Sequence, residues 1–340
     1  MKHCAQTLAL VLSFATTAVA GPLQKEQVAA DAKWLLHADL DEFRATKVGG
    51  YVVTEILEKQ LAGPIANLKR QFKFEFDPDR ILDKINSITV YGTDYQSPRD
   101  NSVLMIKTDP DLQTAFVGVM AGLALAGTNA PVKQTQVGPV TFYSLKDQVF
   151  FAVLPGKLVA VGKSRGIVQK AADVLAGKAA NLKSSKVFSE FADVKKTFFF
   201  FGVAEAFNSD AVVAPQAKLL QMADGGRVVL GEHADQLFLD LALKAKSSEI
   251  VTQMQQVVQG IIALASLGQP ENKDLAQLVQ AVKVSADDRI VNVSVEYPVD
   301  KVIQKLGERW WAPHLGKHQP ANENGESDPP AGPPSDRDKN

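Results

Sequence analysis

From Lys33 to Trp311 the chain alternates two hydrophobic rhythms, a period of two that marks half-buried strands and a longer one that marks amphipathic helices. The first strand is expected at Lys33–Leu40, with Trp34, Leu36, Ala38 and Leu40 on one face and His37 and Asp39 on the other. Asp41 then opens a helix running towards Gln60, which Gly63-Pro64 breaks. A further helical stretch leads to Asp77-Pro78-Asp79, where Asp77 can cap and Pro78 fits a first helical turn. Strands are expected at Ser87–Gly92 and Ser102–Thr108, on either side of the turn-rich Thr93–Asn101. Asp109-Pro110-Asp111 repeats the helix-start device ahead of an apolar helix over Asp111–Ala126. Val140–Leu145, Gln148–Leu154 and Lys157–Gly162 read as an antiparallel meander, because so few residues between strands allow hairpins but no parallel crossover. Ser164 starts the helix that closes this half.

The same order recurs in shorter form. A strand at Lys196–Val203 leads to a helix over Glu205–Gln221, strands at Arg227–Gly231 and Gln236–Lys244, and a helix over Ser247–Leu267. A helical segment over Lys273–Ala281 precedes strands at Val282–Ser285 and Arg289–Tyr297, which flank the turn Ala286-Asp287-Asp288. The last helix runs over Pro298–Trp311. Trp34 and Ala38 echo Phe198 and Gly202, and Ile167-Val168-Gln169-Lys170 echoes Val302-Ile303-Gln304-Lys305. The offset falls from 164 residues at the first echo to 135 at the second, which fits an insertion in the first half around Gly63–Lys84. The boundary falls in Ala179–Lys195. Phe198-Phe199-Phe200-Phe201 shows no alternation, so it is expected to be a central strand with both faces covered. The fold expected is α+β, two similar halves at residues 21–180 and 181–315, each an antiparallel sheet with helices mainly on one face.

The two ends differ from this body. Met1, Lys2 and His3, the apolar Ala5–Ala15 and the A-x-A site Ala18-Val19-Ala20 form a secretory signal over residues 1–20, cleaved near Ala20. Its apolar stretch is too short to span a bilayer. Export to a periplasm or the exterior follows. Residues 316–340 are rich in Pro, Asn, Asp and Lys and almost free of apolar side chains, the signature of a disordered tail. The single cysteine, Cys4, lies in the signal, so the mature chain has no thiol for disulfides, zinc or nucleophilic chemistry. Thirty-seven basic residues stand against 38 acidic ones, a net charge of -1, and no basic field exists to attract nucleic acid.

Within the body, each chemical motif has a simpler structural reading. Gly162-Lys163-Ser164-Arg165-Gly166 matches the nucleophile elbow G-x-S-x-G, but that elbow needs a parallel sheet, a histidine and an oxyanion segment. His233 is the only histidine between Ser164 and the tail. Ser164 as a helix N-cap accounts for the same residues. Gly162-Lys163-Ser164 also mimics the end of a phosphate loop, yet Gly156 is one residue too distant and Lys157–Val161 reads as strand. His37, Asp39, Asp41 and Glu42 form the densest polar group, read as strand-face and capping residues instead of a cation or acid-base site. Asp77, Asp109 and Asp287-Asp288 are assigned to caps and a hairpin turn. His314 and His318 sit in the tail beside Pro313 and Gly316. Gly118, Gly122 and Ala126 have small-x-x-x-small spacing, read as close helix packing against the sheet, and Trp310-Trp311 as cover for the core edge. Asn292-Val293-Ser294 is a complete sequon inside an expected strand. No catalytic, cofactor-binding or metal-binding residue is assigned, and no cofactor.

The segment Ala30-Asp31-Ala32-Lys33-Trp34-Leu35-Leu36-His37-Ala38-Asp39-Leu40-Asp41 and the stretch from Val282-Lys283-Val284 to Tyr297-Pro298 resemble exported bacterial proteins grouped as domains of unknown function. The resemblance implies an exported α+β protein and brings no site residues. The expectation is a non-enzymatic envelope or extracellular binding or interaction module, its partner an unspecified protein or apolar ligand of the cell envelope. The alternatives are a carrier for an apolar ligand and, third, a serine hydrolase using Ser164. No nucleic acid partner and no transmembrane span in the mature chain are expected.

Overall fold

The computed structural model describes residues 22–57, 60, 63, 82–125, 132–186, 188–191, 194, 196–205, 218–268 and 273–307. The signal segment, Asp77-Pro78-Asp79, most of the helix expected over Glu205–Gln221, Trp310-Trp311 and the tail lie outside the described residues. The strands are β1 Trp34–Asp39, β2 Ile85–Gly92, β3 Ser102–Thr108, β4 Val132–Val137, β5 Val140–Leu145, β6 Val149–Leu154, β7 Leu158–Gly162, β8 Phe200–Glu205, β9 Ala223–His233, β10 Gln236–Ala245, β11 Lys283–Asp287 and β12 Ile290–Pro298. They form one sheet in the order β11-β12-β10-β9-β8-β1-β2-β3-β7-β6-β5-β4, and every pair is antiparallel. The α+β class is as expected. The strands of both expected halves belong to this one sheet, joined where β1 pairs β8 with Leu36 opposite Gly202.

The helices are α1 Leu40–Ala45, α2 Lys47–Tyr51, α3 Pro110–Ala124, α4 Arg165–Leu175, α5 Lys218–Met222, α6 Ser248–Gly268, α7 Lys273–Gln280 and α8 Val299–Gly307, with a π-helical turn at Val52–Leu57. Their starts follow local chemistry. Asp109 accepts from Leu112 N at 2.7 Å ahead of Pro110, and Ser164 accepts from Ile167 N at 3.4 Å. Two local expectations fail at β1. Leu40 opens α1 instead of closing the strand, and the cap is Asp39, which accepts from Glu42 N at 3.0 Å, not Asp41. Asp41 is held by Arg44 and by Asn86. The helix expected to reach Gln60 stops at Thr46, whose hydroxyl recaps α2 through Gly49 N. β4 has no counterpart in the expected pattern, since its exposed Lys133-Gln134-Thr135-Gln136 shows no alternation.

One sheet face is sealed. It carries Leu35, Tyr91, Val103, Phe201, Val229 and Phe238, covered by α4 through Val168, Ala171 and Val174 and by Phe188 and Phe191. His37 and Asp39 share this face with Leu35, exposed by 1% and 6%, so the most deeply buried face of β1 is the one opposite Trp34 and Leu36. On the second face α3 packs Phe116 and Met120 over Tyr143 and Phe151, and α6 packs Val251 and Met254 over Leu243 and Val291. Between them, α1, α2 and α8 gather Phe43, Val48 and Val299 at one margin over Phe199, Phe200 and Leu230. The strand expected over Lys196–Val203 starts later: only Phe200 and Phe201 of the phenylalanine run lie in the central β8, Phe201 feeding the sealed face, while Phe200 and the preceding Phe199 feed the margin.

Candidate functional site

The sheet separates the residues that the sequence singled out. Ser164 follows β7 and His233 ends β9, and β3, β2, β1 and β8 lie between those strands. Five strand spacings separate those strands by about 24 Å across the sheet, and the two residues lie towards opposite ends of it. The strand before Ser164 also lies in an antiparallel sheet. No Ser164–His233 pair forms, and Ser164 serves as the N-cap of α4. His37 Nδ1 lies 2.8 Å from Thr89 Oγ1 inside the sealed face. Burial pushes the neighbouring Asp39 carboxyl up to about 6, with the charges of Asp41 and Glu42 adding to it. Among the described residues no group of three or more His, Cys, Asp or Glu could hold a metal ion. The Gly118 and Gly122 expectation is corrected: a Cβ at either would meet nothing within 4 Å, so the small-residue stripe of α3 points outward. The packed side of α3 is Phe116, Met120 and Leu123.

A different site emerges on the second face. Because each strand's backbone is satisfied by its neighbours, only side chains face outward there. From β7 to β9 one cross-strand row reads Val161, Leu104, Val90, Leu36, Gly202 and Val228. The next row reads Val159, Ile106, Ile88, Ala38, Phe200 and Leu230, and continues to Leu239 and Val295. Neither row contains a polar side chain. α3 covers one end of this face, α6 the other, and α1, α2 and α8 pack on Phe200 and Leu230 of the second row, leaving the middle half-covered: Leu36 is 43% exposed and Leu239 40%. A leucine so exposed at the centre of a sheet forgoes roughly 1 kcal/mol of burial. Gly202 keeps the band level, since a Cβ there would stand 2.9 Å from Val228 Cγ1 and 3.0 Å from Leu36 Cδ2.

The band ends in polar groups. The row beyond Leu230, Leu239 and Val295 is Glu232, Leu237 and Tyr297. Glu232 accepts from Lys47 N at 3.1 Å and Val48 N at 3.0 Å, which ties α2 to the β9–β10 hairpin alongside the Lys47–Asp235 ion pair at 2.8 Å. Tyr297 is 9% exposed, and its hydroxyl is buried without a hydrogen-bond partner. Lys301 Nζ lies 5.8 Å from its ring centre. α7 is clasped to α8 by Lys301 with Gln277 and by Lys305 with Asp274 at 2.9 Å.

α6 is the one helix among the described residues long and apolar enough to cross a membrane, at Ser248–Leu267. Its first half is packed through Val251, Met254 and Val258, while Ile261, Leu264 and Leu267 near its end are exposed. The apolar band was missed in sequence because it is assembled from strands far apart in the chain. Its local trace was legible: Leu237-Phe238-Leu239 and Leu241-Ala242-Leu243 are apolar on both faces, whereas a one-sided sheet would alternate.

No family model matches the chain, and no curated protein matches it. Among solved structures, it is similar to TP0453 in crystal form III, with a TM-score of 0.48 at 10% identity over 84% of this chain and 98% of that one. It is similar to the same protein in crystal form I, with a TM-score of 0.45 at 8% identity over 84% of this chain and 98% of that one.

Proposed function

We propose that this chain is an exported, non-enzymatic binding module of the cell envelope, and that its half-covered sheet face takes an elongated apolar ligand. The observation that carries the reading is the pair of uninterrupted apolar rows with Leu36 and Leu239 exposed between α3 and α6. A concave or partly covered apolar surface of this kind suits a hydrocarbon chain, which gains from burial and demands no hydrogen bond. Two similar halves support the reading. The order β1-β2-β3-β7-β6 with α3 after β3 and α4 after β7 parallels β8-β9-β10-β12-β11 with α6 after β10 and α8 after β12. A duplication brings two apolar faces into register and leaves β4–β5 as an added hairpin. Export with cleavage near Ala20 and membership of an uncharacterised exported bacterial family belong to the same proposal.

The test is equilibrium binding of a fluorescent fatty-acid probe. Saturable binding is expected, and Leu36→Glu, a change at a half-exposed side chain, is expected to weaken it about tenfold or more by placing a charge in the band, with an unchanged far-UV circular dichroism spectrum. Absence of saturable binding by the wild-type protein overturns the proposal. A second reading, contact with a protein partner, is favoured by the exposed Ile261, Leu264 and Leu267. The two part at Leu264→Glu, which on the ligand reading leaves probe affinity unchanged.

A further inference from the structure

The apolar rows end at Tyr297, and the surroundings of that residue differ from the rest of the band. Its ring packs on the same face as Val295, one residue pair beyond the exposed Leu239. Its hydroxyl has no hydrogen-bond partner and is sealed from solvent. A phenylalanine would fill the same volume without leaving that oxygen desolvated. Lys301 and Lys305 lie four residues apart on one face of α8, the helix that follows Tyr297. Lys301 lies 5.8 Å from the ring, and Lys305 acts electrostatically on the hydroxyl against Asp274. Their contacts to α7, with Gln277 and Asp274, sit at the surface, where Lys305 and Asp274 are 43% and 42% exposed. Such solvent-screened contacts are cheap to exchange.

We propose that this end of the band is a head-group site, at which Tyr297 Oη, Lys301 and Lys305 receive the anionic head of a long-chain amphiphile whose chain lies on the apolar rows. The inference rests on the apolar-ligand reading above and specifies its ligand class. In the proposed complex the Tyr297 hydroxyl donates to the head anion. The two ammonium groups exchange Gln277 and Asp274 for it. Asp274, the carboxylate next to them, gives up its ion pair to the anion. Carboxylate and phosphate heads share this chemistry, and competing probes separate them.

The experiment measures dissociation constants for dansylamino-undecanoic acid and for its uncharged methyl ester, with a long-chain monoalkyl phosphate as competitor. The wild-type protein is expected to prefer acid over ester about tenfold or more, the contribution of a hydrogen bond and ion pair to a charged group. Tyr297→Phe and the double variant Lys301→Gln, Lys305→Gln are each expected to collapse that preference. Leu36→Glu is expected to weaken acid and ester together. Efficient displacement by the alkyl phosphate assigns a phosphate head, and poor displacement a carboxylate. Equal binding of acid and ester by the wild type, or a preference that survives Tyr297→Phe, overturns the head-group site and leaves the apolar band standing. If neither probe binds, both proposals fall.

Discussion

Asp39 is held between two opposing demands. As N-cap of α1 its carboxylate accepts from Glu42 N, which favours the charged form, while burial beside Ser87 and the charges of Asp41 and Glu42 favour the neutral one. Burial wins, and the folded carboxyl titrates at about 6, above the roughly 3.9 of an unfolded aspartate. The folded state therefore holds its proton longer, so the stabilisation is fully present below about pH 4 and is lost as pH rises through about 6. Asn caps as well as Asp and stays neutral. Asp39→Asn should match the wild type in urea unfolding at pH 4 and exceed it at pH 7 by about 2 kcal/mol. A difference independent of pH would mean that Asp39 titrates normally. Tyr297 makes a parallel case without a proton. Removing its unsatisfied hydroxyl in Tyr297→Phe should raise the melting temperature of the ligand-free protein, by about 1 kcal/mol of stability. A loss of stability would show that the hydroxyl has a partner before any ligand arrives.

At the level of elements, what could be read from the sequence was whatever a few neighbouring residues decide. Asp109-Pro110 and Ser164 announce the starts of α3 and α4 because a cap and its N–H lie three residues apart. The hairpins of β5, β6 and β7 follow from connections too short for anything else. Faces were harder. β1 offers Leu35 on one side and Leu36 on the other, and only partners distant in the chain, Tyr91 and Val203 around Leu35, settle which is sealed. The outward stripe of Gly118 and Gly122 failed for the same reason, since spacing names a face without naming its neighbour. Close packing occurs instead between strands. Trp34 lies across Gly92, where a Cβ would come within 2.5 Å of its indole, and Asp94 O anchors the indole nitrogen at 3.0 Å. Gly92→Ala should therefore cost roughly 1–3 kcal/mol in chemical unfolding. A neutral result would mean that the indole swings away freely.

At the scale of the molecule the decisive contact is the pairing of β1 with β8, which no local pattern announces. It turns two runs of strands into one sheet whose apolar rows cross the junction at Leu36 and Gly202. A fragment of residues 21–185 would leave β1 as a free edge, with His37 and Leu35 no longer covered by Phe201 and Val203. Such edges recruit other chains. The fragment should elute as oligomer or aggregate in size-exclusion chromatography, and a monomeric fragment with native circular dichroism would show the junction to be dispensable. The natural edges, β4 and β11, carry Lys133 and Lys283, a guard that β1 lacks. The same hydrogen-bonded construction also acts as a ruler. Neighbouring strands sit about 4.8 Å apart whatever their side chains, so the reach of the apolar band changes only in whole strands. Substitutions at Leu36 or Gly202 can deepen or block it, but a ligand with a much longer chain would require another hairpin.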